Sequence, residues 1–160
     1  MSRELQDPRQ SRSLSHIGWS VETPLVVKST HMALDIENAS KKNGALAVQS
    51  AWTGQDNQFW RLEAVGEGTL RVVSLLSGKV LDVRAASKDE GAAVVQWDWN
   101  GADYQRWSLD ILENGALRLT AKHSGQALSV RDGSPLRGAP VVQQSWKDQS
   151  YQLWNWQYLQ

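Results

Sequence analysis

The sequence predicts an all-β fold of three like units related by threefold pseudosymmetry, and three observations predict it. The triplet Gln-x-Trp recurs as Gln58-Phe59-Trp60, Gln105-Arg106-Trp107 and Gln152-Leu153-Trp154, at a constant step of 47 residues. The same shift superimposes Leu34/Leu81/Leu128, Ser40/Ser87/Ser134, Gly44/Gly91/Gly138, Val48/Val95/Val142, Gln49/Gln96/Gln143 and Trp52/Trp99/Trp146 without a gap. A fixed period of this length marks a repeat architecture. Within each unit the apolar residues alternate over short runs, as in half-buried strands, and no stretch carries a helical period.

The elements follow in order. The first unit predicts strands at Leu25–Ser29, Met32–Ile36, Leu46–Ser50 and Gln58–Glu63. The second predicts Thr69–Ser74, Lys79–Val83, Ala93–Asp98 and Gln105–Asp110. The third predicts Ala116–Ala121, Gln126–Val130, Val141–Ser145 and Gln152–Gln157. Ser77-Gly78, Ser124-Gly125, Asn100-Gly101, Asn114-Gly115 and Asp132-Gly133 supply turns between them. Four short strands in each of three units make about twelve, the arithmetic of a β-trefoil. A solenoid rarely has four strands per unit and only three units, and three propeller blades are too few to close a ring.

A chain of 160 residues is one domain's worth. Residues 1–20 read as an N-terminal extension, polar and mobile to residue 15, although Ile17 and Trp19 are worth burying. Residues 21–160 read as one trefoil, with repeats at about 21–65, 66–112 and 113–160. The 17 basic and 17 acidic residues balance, which argues against nucleic acid or a membrane surface as partner. There is no cysteine and no apolar run of transmembrane length. With no signal-peptide pattern at the start, a soluble cytoplasmic protein is the expectation. The histidines, His16, His31 and His123, have no ligand-like spacing, so neither metal nor cofactor is expected.

Nine tryptophans stand against one phenylalanine. Trp60, Trp107 and Trp154 sit at symmetry-related strand positions, where three indoles fill the centre of a small barrel. Gln and Trp of each triplet, two apart on a strand, share a face. The glutamine amide is then placed to tie down neighbouring groups.

These motifs resemble the ricin B-type lectin repeat: Gln-x-Trp closing each unit, Leu-Asp-Val on the second strand, and Gly-x-x-Val before the third. The likeness covers about residues 24–160. The second unit matches most fully, with Gly78-Lys79-Val80-Leu81-Asp82-Val83, Gly91, Val95-Gln96-Trp97-Asp98-Trp99-Asn100-Gly101 and Gln105-Arg106-Trp107. The resemblance implies a β-trefoil that binds glycans without catalysis, favouring galactose or N-acetylgalactosamine. In such lectins an Asp accepts sugar hydroxyls, an aromatic covers the C–H face of the pyranose, and an Asn/Gln pair completes the hydrogen bonding.

Carried over residue by residue, the second unit has Asp82 as acceptor, Trp97 as platform and Gln105 as brace, with Asn100 in reach and Tyr104 where relatives often have Asn. It is the expected principal site. The first unit keeps Asp35, Asn57 and Gln58 but has Ser50 at the stacking position. The third has Ser129 and Gln144 in place of Asp and aromatic and is expected to be silent. Trp52, Trp99 and Trp146 stand where many relatives have a half-cystine. Either they fill the disulfide's space over Ala33, Val80 and Ala127, or they are themselves platforms, in which case Trp52 joins Asp35 in a second site. Self-association would raise avidity. A trefoil that binds protein rather than sugar, like a protease inhibitor or cytokine, is the alternative. Glycosidase chemistry is disfavoured because Asp35 and Asp82 belong to different lobes.

Overall fold

Pro24 divides the first strand of the first unit into β1 (Ser20–Thr23) and β2 (Leu25–Val27). Proline has no N–H for a ladder, and here the strand changes partner across it. β1 pairs with β5 (Trp60–Gly66), whereas β2 pairs with β13 (Trp154–Trp156). The computed structural model describes residues 19–156, so the expectations for the tail and for Ile17 lie outside the described residues. Trp19, at the edge of the extension, is buried in the core, and its carbonyl accepts from the Ala64 N–H at 3.1 Å.

The remaining strands are β3 (Ala33–Ile36), β4 (Ala47–Ser50), β6 (Thr69–Ser74), β7 (Val80–Val83) and β8 (Val94–Trp97). They continue with β9 (Trp107–Ile111), β10 (Leu117–Ala121), β11 (Ala127–Val130) and β12 (Val141–Gln144). All twelve predicted strands are present, often a residue or two shorter; the thirteenth, β1, lies ahead of Pro24 and is not among them. The pairings β5–β6, β6–β9, β9–β10, β10–β13, β13–β2 and β1–β5 close a barrel of six strands when β1 and β2 count as one. The hairpins β3–β4, β7–β8 and β11–β12 cap it. They meet in cyclic order through the bridges Leu46–Val95, Ala93–Val142 and Pro140–Val48. This is a β-trefoil.

The three triplet tryptophans are fully buried. Their indole N–H groups donate to the carbonyls of Leu34 (3.0 Å), Leu81 (3.4 Å) and Leu128 (3.0 Å), one per unit. Each indole thus buries a large apolar area without orphaning its one polar atom. The triplet glutamines differ from the strand expectation. Gln58, Gln105 and Gln152 end single 3-10 turns, ahead of the strands that their tryptophans begin. The turn aims the amide back beneath the neighbouring hairpin, where it is buried.

A second set of glutamines joins the repeats. Gln96 Nε2 donates to the carbonyls of Ser40 (2.9 Å) and Lys42 (2.8 Å). Gln143 reaches Ser87 and Asp89 in the same way, and Gln49 reaches Ser134 and Leu136. Each buried amide therefore pins a loop of the adjacent repeat. The 47-residue invariance of this glutamine has a structural cause.

Candidate functional site

The second repeat carries an open cavity of about 380 Å3, lined by Asp82, Trp97, Asn100 and Tyr104 together with Gly44, Arg84, Ala85, Ala86 and Val95. Asp82 is on β7 and Trp97 ends β8, so the hairpin itself holds acceptor and platform near each other. Tyr104 comes from the 3-10 turn Asp103–Gln105. Asn100 precedes that turn. Its Nδ2 donates to the Tyr104 hydroxyl at 3.2 Å, and its Oδ1 accepts from the Ala102 N–H at 2.8 Å.

Gln105 stands behind the cavity rather than in it. Its Nε2 donates to Asp82 Oδ2 at 2.8 Å and to the Asp98 carbonyl at 2.9 Å, while its Oε1 accepts from the Asn100 N–H at 2.8 Å. One amide therefore orients both the acid and the loop bearing Asn100. Asp82 is only 4% exposed, and burial pushes its carboxyl up to about 6, against the opposing pull of the Gln105 hydrogen bond and of nearby His123. Trp97, by contrast, is 44% exposed, a large apolar face presented to solvent beside a buried acid.

The opposite wall belongs to the first repeat. Gly44 donates its N–H to the Gln96 carbonyl at 2.8 Å, and a Cβ built on it would come 3.5 Å from the Trp97 ring. Asn43 Nδ2 donates to Asp98 Oδ2 at 3.1 Å and Asn43 Oδ1 accepts from the Asp98 N–H at 3.0 Å. The floor turns through Ala85 and Ala86, both with positive φ (56° and 54°). This left-handed conformation costs about 1–2 kcal/mol for each residue with a Cβ. Their methyl side chains line the cavity beside Asp82 and Trp97.

In the first repeat both oxygens of Asp35 are occupied: Asn57 Nδ2 donates to Oδ1 at 2.7 Å and Gln58 Nε2 to Oδ2 at 3.0 Å. Trp52 is 51% exposed, with its ring edge-on to Phe59 at 5.5 Å. In the third repeat Ser129 donates to the Ala127 carbonyl, and Gln144 Oε1 accepts from the Asp132 N–H at 3.1 Å. Tyr151 lies so close over Gly133 that a Cβ there would meet its ring at 2.8 Å. That repeat spends its polar groups internally and lays a ring over its turn.

Trp99 and Trp146 are covered by arginines. Arg71 and Arg106 lie over Trp99 at 5.0 and 5.4 Å from the ring centroid, and Arg118 lies over Trp146 at 4.7 Å. The partner of Val80 across the hairpin is Trp97, as Ser50 is of Ala33 and Gln144 of Ala127. Trp99 falls beyond the end of β8, where Arg71 and Arg106 lie over its ring, and it is Trp97 that stands across the hairpin from Val80. Sequence reasoning missed Gly44, Arg84, Ala85, Ala86 and Val95. Only the invariance of Gly44 and Val95 across the repeats signalled them. Among the described residues no group of three His, Asp or Glu gathers as a metal site requires.

A family model described as ricin-type beta-trefoil lectin domain-like matches residues 19–97, 66–144 and 103–159. Among solved structures, the designed 3-fold symmetric protein ThreeFoil is 42% identical with a TM-score of 0.84, covering 86% of this chain and 99% of its own. The exo-beta-1,3-galactanase 1,3Gal43A from Clostridium thermocellum is 31% identical with a TM-score of 0.82. That match covers 84% of this chain but only 29% of the galactanase. The Macrolepiota procera ricin B-like lectin, in complex with lactose, shares the fold at 17% identity and a TM-score of 0.72, with 85% and 94% of the two chains covered. No curated protein sequence matches the chain.

Proposed function

The chain belongs to the ricin-type β-trefoil lectin-like family, and on that premise we propose that it is a non-catalytic lectin for galactose or N-acetylgalactosamine glycans. The principal site in this reading is the second-repeat cavity. The observation that carries it is the convergence of Asp82, Trp97, Asn100 and Tyr104 on that one cavity. A pyranose has an apolar C–H face and an edge of hydroxyls, and the cavity opposes an exposed indole to a buried carboxyl. Trp97 covers the face, Asp82 accepts paired hydroxyl protons, and Asn100 and Tyr104 meet the remaining edge.

A glycosidase needs two carboxyls flanking one bond, and among the described residues a single carboxyl lines this cavity. The galactanase likeness extends over too little of that enzyme to bring its chemistry here. The first repeat is a secondary site in this reading. It is the weaker one, because Asp35 already accepts from two side chains and Ser50 gives no platform. Affinity at a single pocket is modest, since sugar hydroxyls trade water for protein at little net gain. Use of both pockets, or self-association, raises avidity.

The test is a glycan-array screen of the intact protein beside Asp82→Ala. The reading predicts binding to galactose-type glycans that disappears in the variant. Binding that survives moves the principal site, with Asp35 and Trp52 next to be substituted. An array with no bound glycan favours a protein-binding trefoil instead.

A further inference from the structure

We propose that the second-repeat pocket prefers galactose-type sugars bearing an acidic group, and that Arg84 is the residue that selects them. The inference rests on the lectin reading and narrows its ligand class. Among the described residues lining the cavity, Arg84 is the only cation and Asp82 the only anion. The hairpin places them two residues apart, Asp82 on β7 and Arg84 opening the turn that follows.

The Arg84 side chain has no ion pair or hydrogen bond among the described residues, a condition it shares with Arg131 and Arg137 but not with the other described arginines. Arg61 and Arg71 are held by Glu63, and Arg118 by Asp110. Arg106 donates to the carbonyls of Gly101 and Val65. The acids nearest the pocket rim are also engaged. Asp98 is bound by Asn43 and Lys79, and Asp103 faces Lys122 at 3.6 Å. A guanidinium without a protein partner, lining a cavity beside short Ala85 and Ala86, is an open fork of donors matched to a carboxylate or sulfate.

The threefold relation supplies an internal contrast. The residue equivalent to Arg84 is Glu37 in the first repeat, which repels an anion. In the third it is Arg131, likewise without an ion pair or hydrogen bond among the described residues and lining a cavity of its own, but there Ser129 and Gln144 replace the acid and the aromatic that would hold the sugar ring. The preference for acidic sugars therefore belongs to the second pocket.

The experiment is calorimetric titration of the intact protein with galactose, galacturonate and galactose 6-sulfate, repeated with Arg84→Ala and Arg84→Lys. The wild type is expected to bind at least one acidic sugar about fivefold more tightly than galactose, the upper end for a solvent-facing ion pair. That margin should shrink with added salt. Arg84→Ala should bring the ratio of affinities to about one. In Arg84→Lys, preference for sulfate should persist in part, while preference for the carboxylate, which uses the planar fork, should fall further. Galacturonate favoured over sulfate identifies a uronate ligand, and the reverse identifies a sulfated one. Equal affinity for all three sugars overturns the inference and leaves the lectin reading in place. Absence of binding to any of them overturns both.

Discussion

Sugar binding at the second repeat should weaken as pH falls through about 6, because the acceptor in the pocket titrates there. Asp82 is driven up to about 6 by burial, with one side-chain donor, Gln105, opposing the shift. Only the carboxylate accepts two hydroxyl protons, so the apparent affinity follows its ionised fraction. At about pH 7.5 nearly every molecule is ionised, whereas at about pH 5 the fraction is about one tenth. Galactose should therefore bind about tenfold more weakly at the lower pH, a loss of about 1.4 kcal/mol. Calorimetry across this range in buffers of different ionisation enthalpy checks both the affinity and its proton linkage. Near pH 6 the sugar should release protons, since hydroxyl donors favour the charged form. An affinity flat between about pH 7.5 and 5, or one that rises on acidification, refutes the assignment of Asp82 as the acceptor.

Asp82→Asn should weaken sugar binding yet raise the melting temperature at neutral pH. A carboxyl whose folded pKa is raised lends stability below its unfolded value and loses it as pH rises through about 6. Removing the charge should recover up to about 3 kcal/mol at neutral pH, less any hydrogen bonding lost, and a thermal melt reads it. Tyr104→Asn should give Asp82 a second amide donor, the arrangement that Asn57 supplies to Asp35 at 2.7 Å. The midpoint of the pH profile should then move down, and an unmoved midpoint contradicts that geometry. Gln96→Ala strips the carbonyls of Ser40 and Lys42 of a buried donor and should cost about 2–4 kcal/mol in urea denaturation. A loss below about 0.5 kcal/mol would show that this inter-repeat clamp contributes little to the fold.

The trefoil was legible because each repeat states it independently. Strand alternation, turn dipeptides and a constant 47-residue step all point to one architecture. Trp60, Trp107 and Trp154 could be assigned to the core because a strand position fixes which face a side chain takes. What escaped was set by contacts far apart in sequence. The roles of Gln49, Gln96 and Gln143 depend on loops of an adjacent repeat, and pattern within one unit does not reveal them. Gly44 forms a wall of a pocket whose acid is in the next repeat for the same reason. Arg84, Ala85 and Ala86 looked like an ordinary turn. The left-handed backbone at the two alanines and their place in the cavity lining are not written in the residue pattern. The fate of Trp99 turned on where β8 ends and on Arg71, supplied by a different strand.

The most direct measurement is a galactose titration followed by the indole N–H resonances of the nine tryptophans. A saturable shift of the Trp97 resonance is expected, with the core indoles of Trp60, Trp107 and Trp154 unmoved and the Trp97 response absent in Asp82→Ala. A spectrum in which Trp97 stays fixed at saturating sugar, whether another indole moves or none does, contradicts the claim that the second repeat is the principal sugar site.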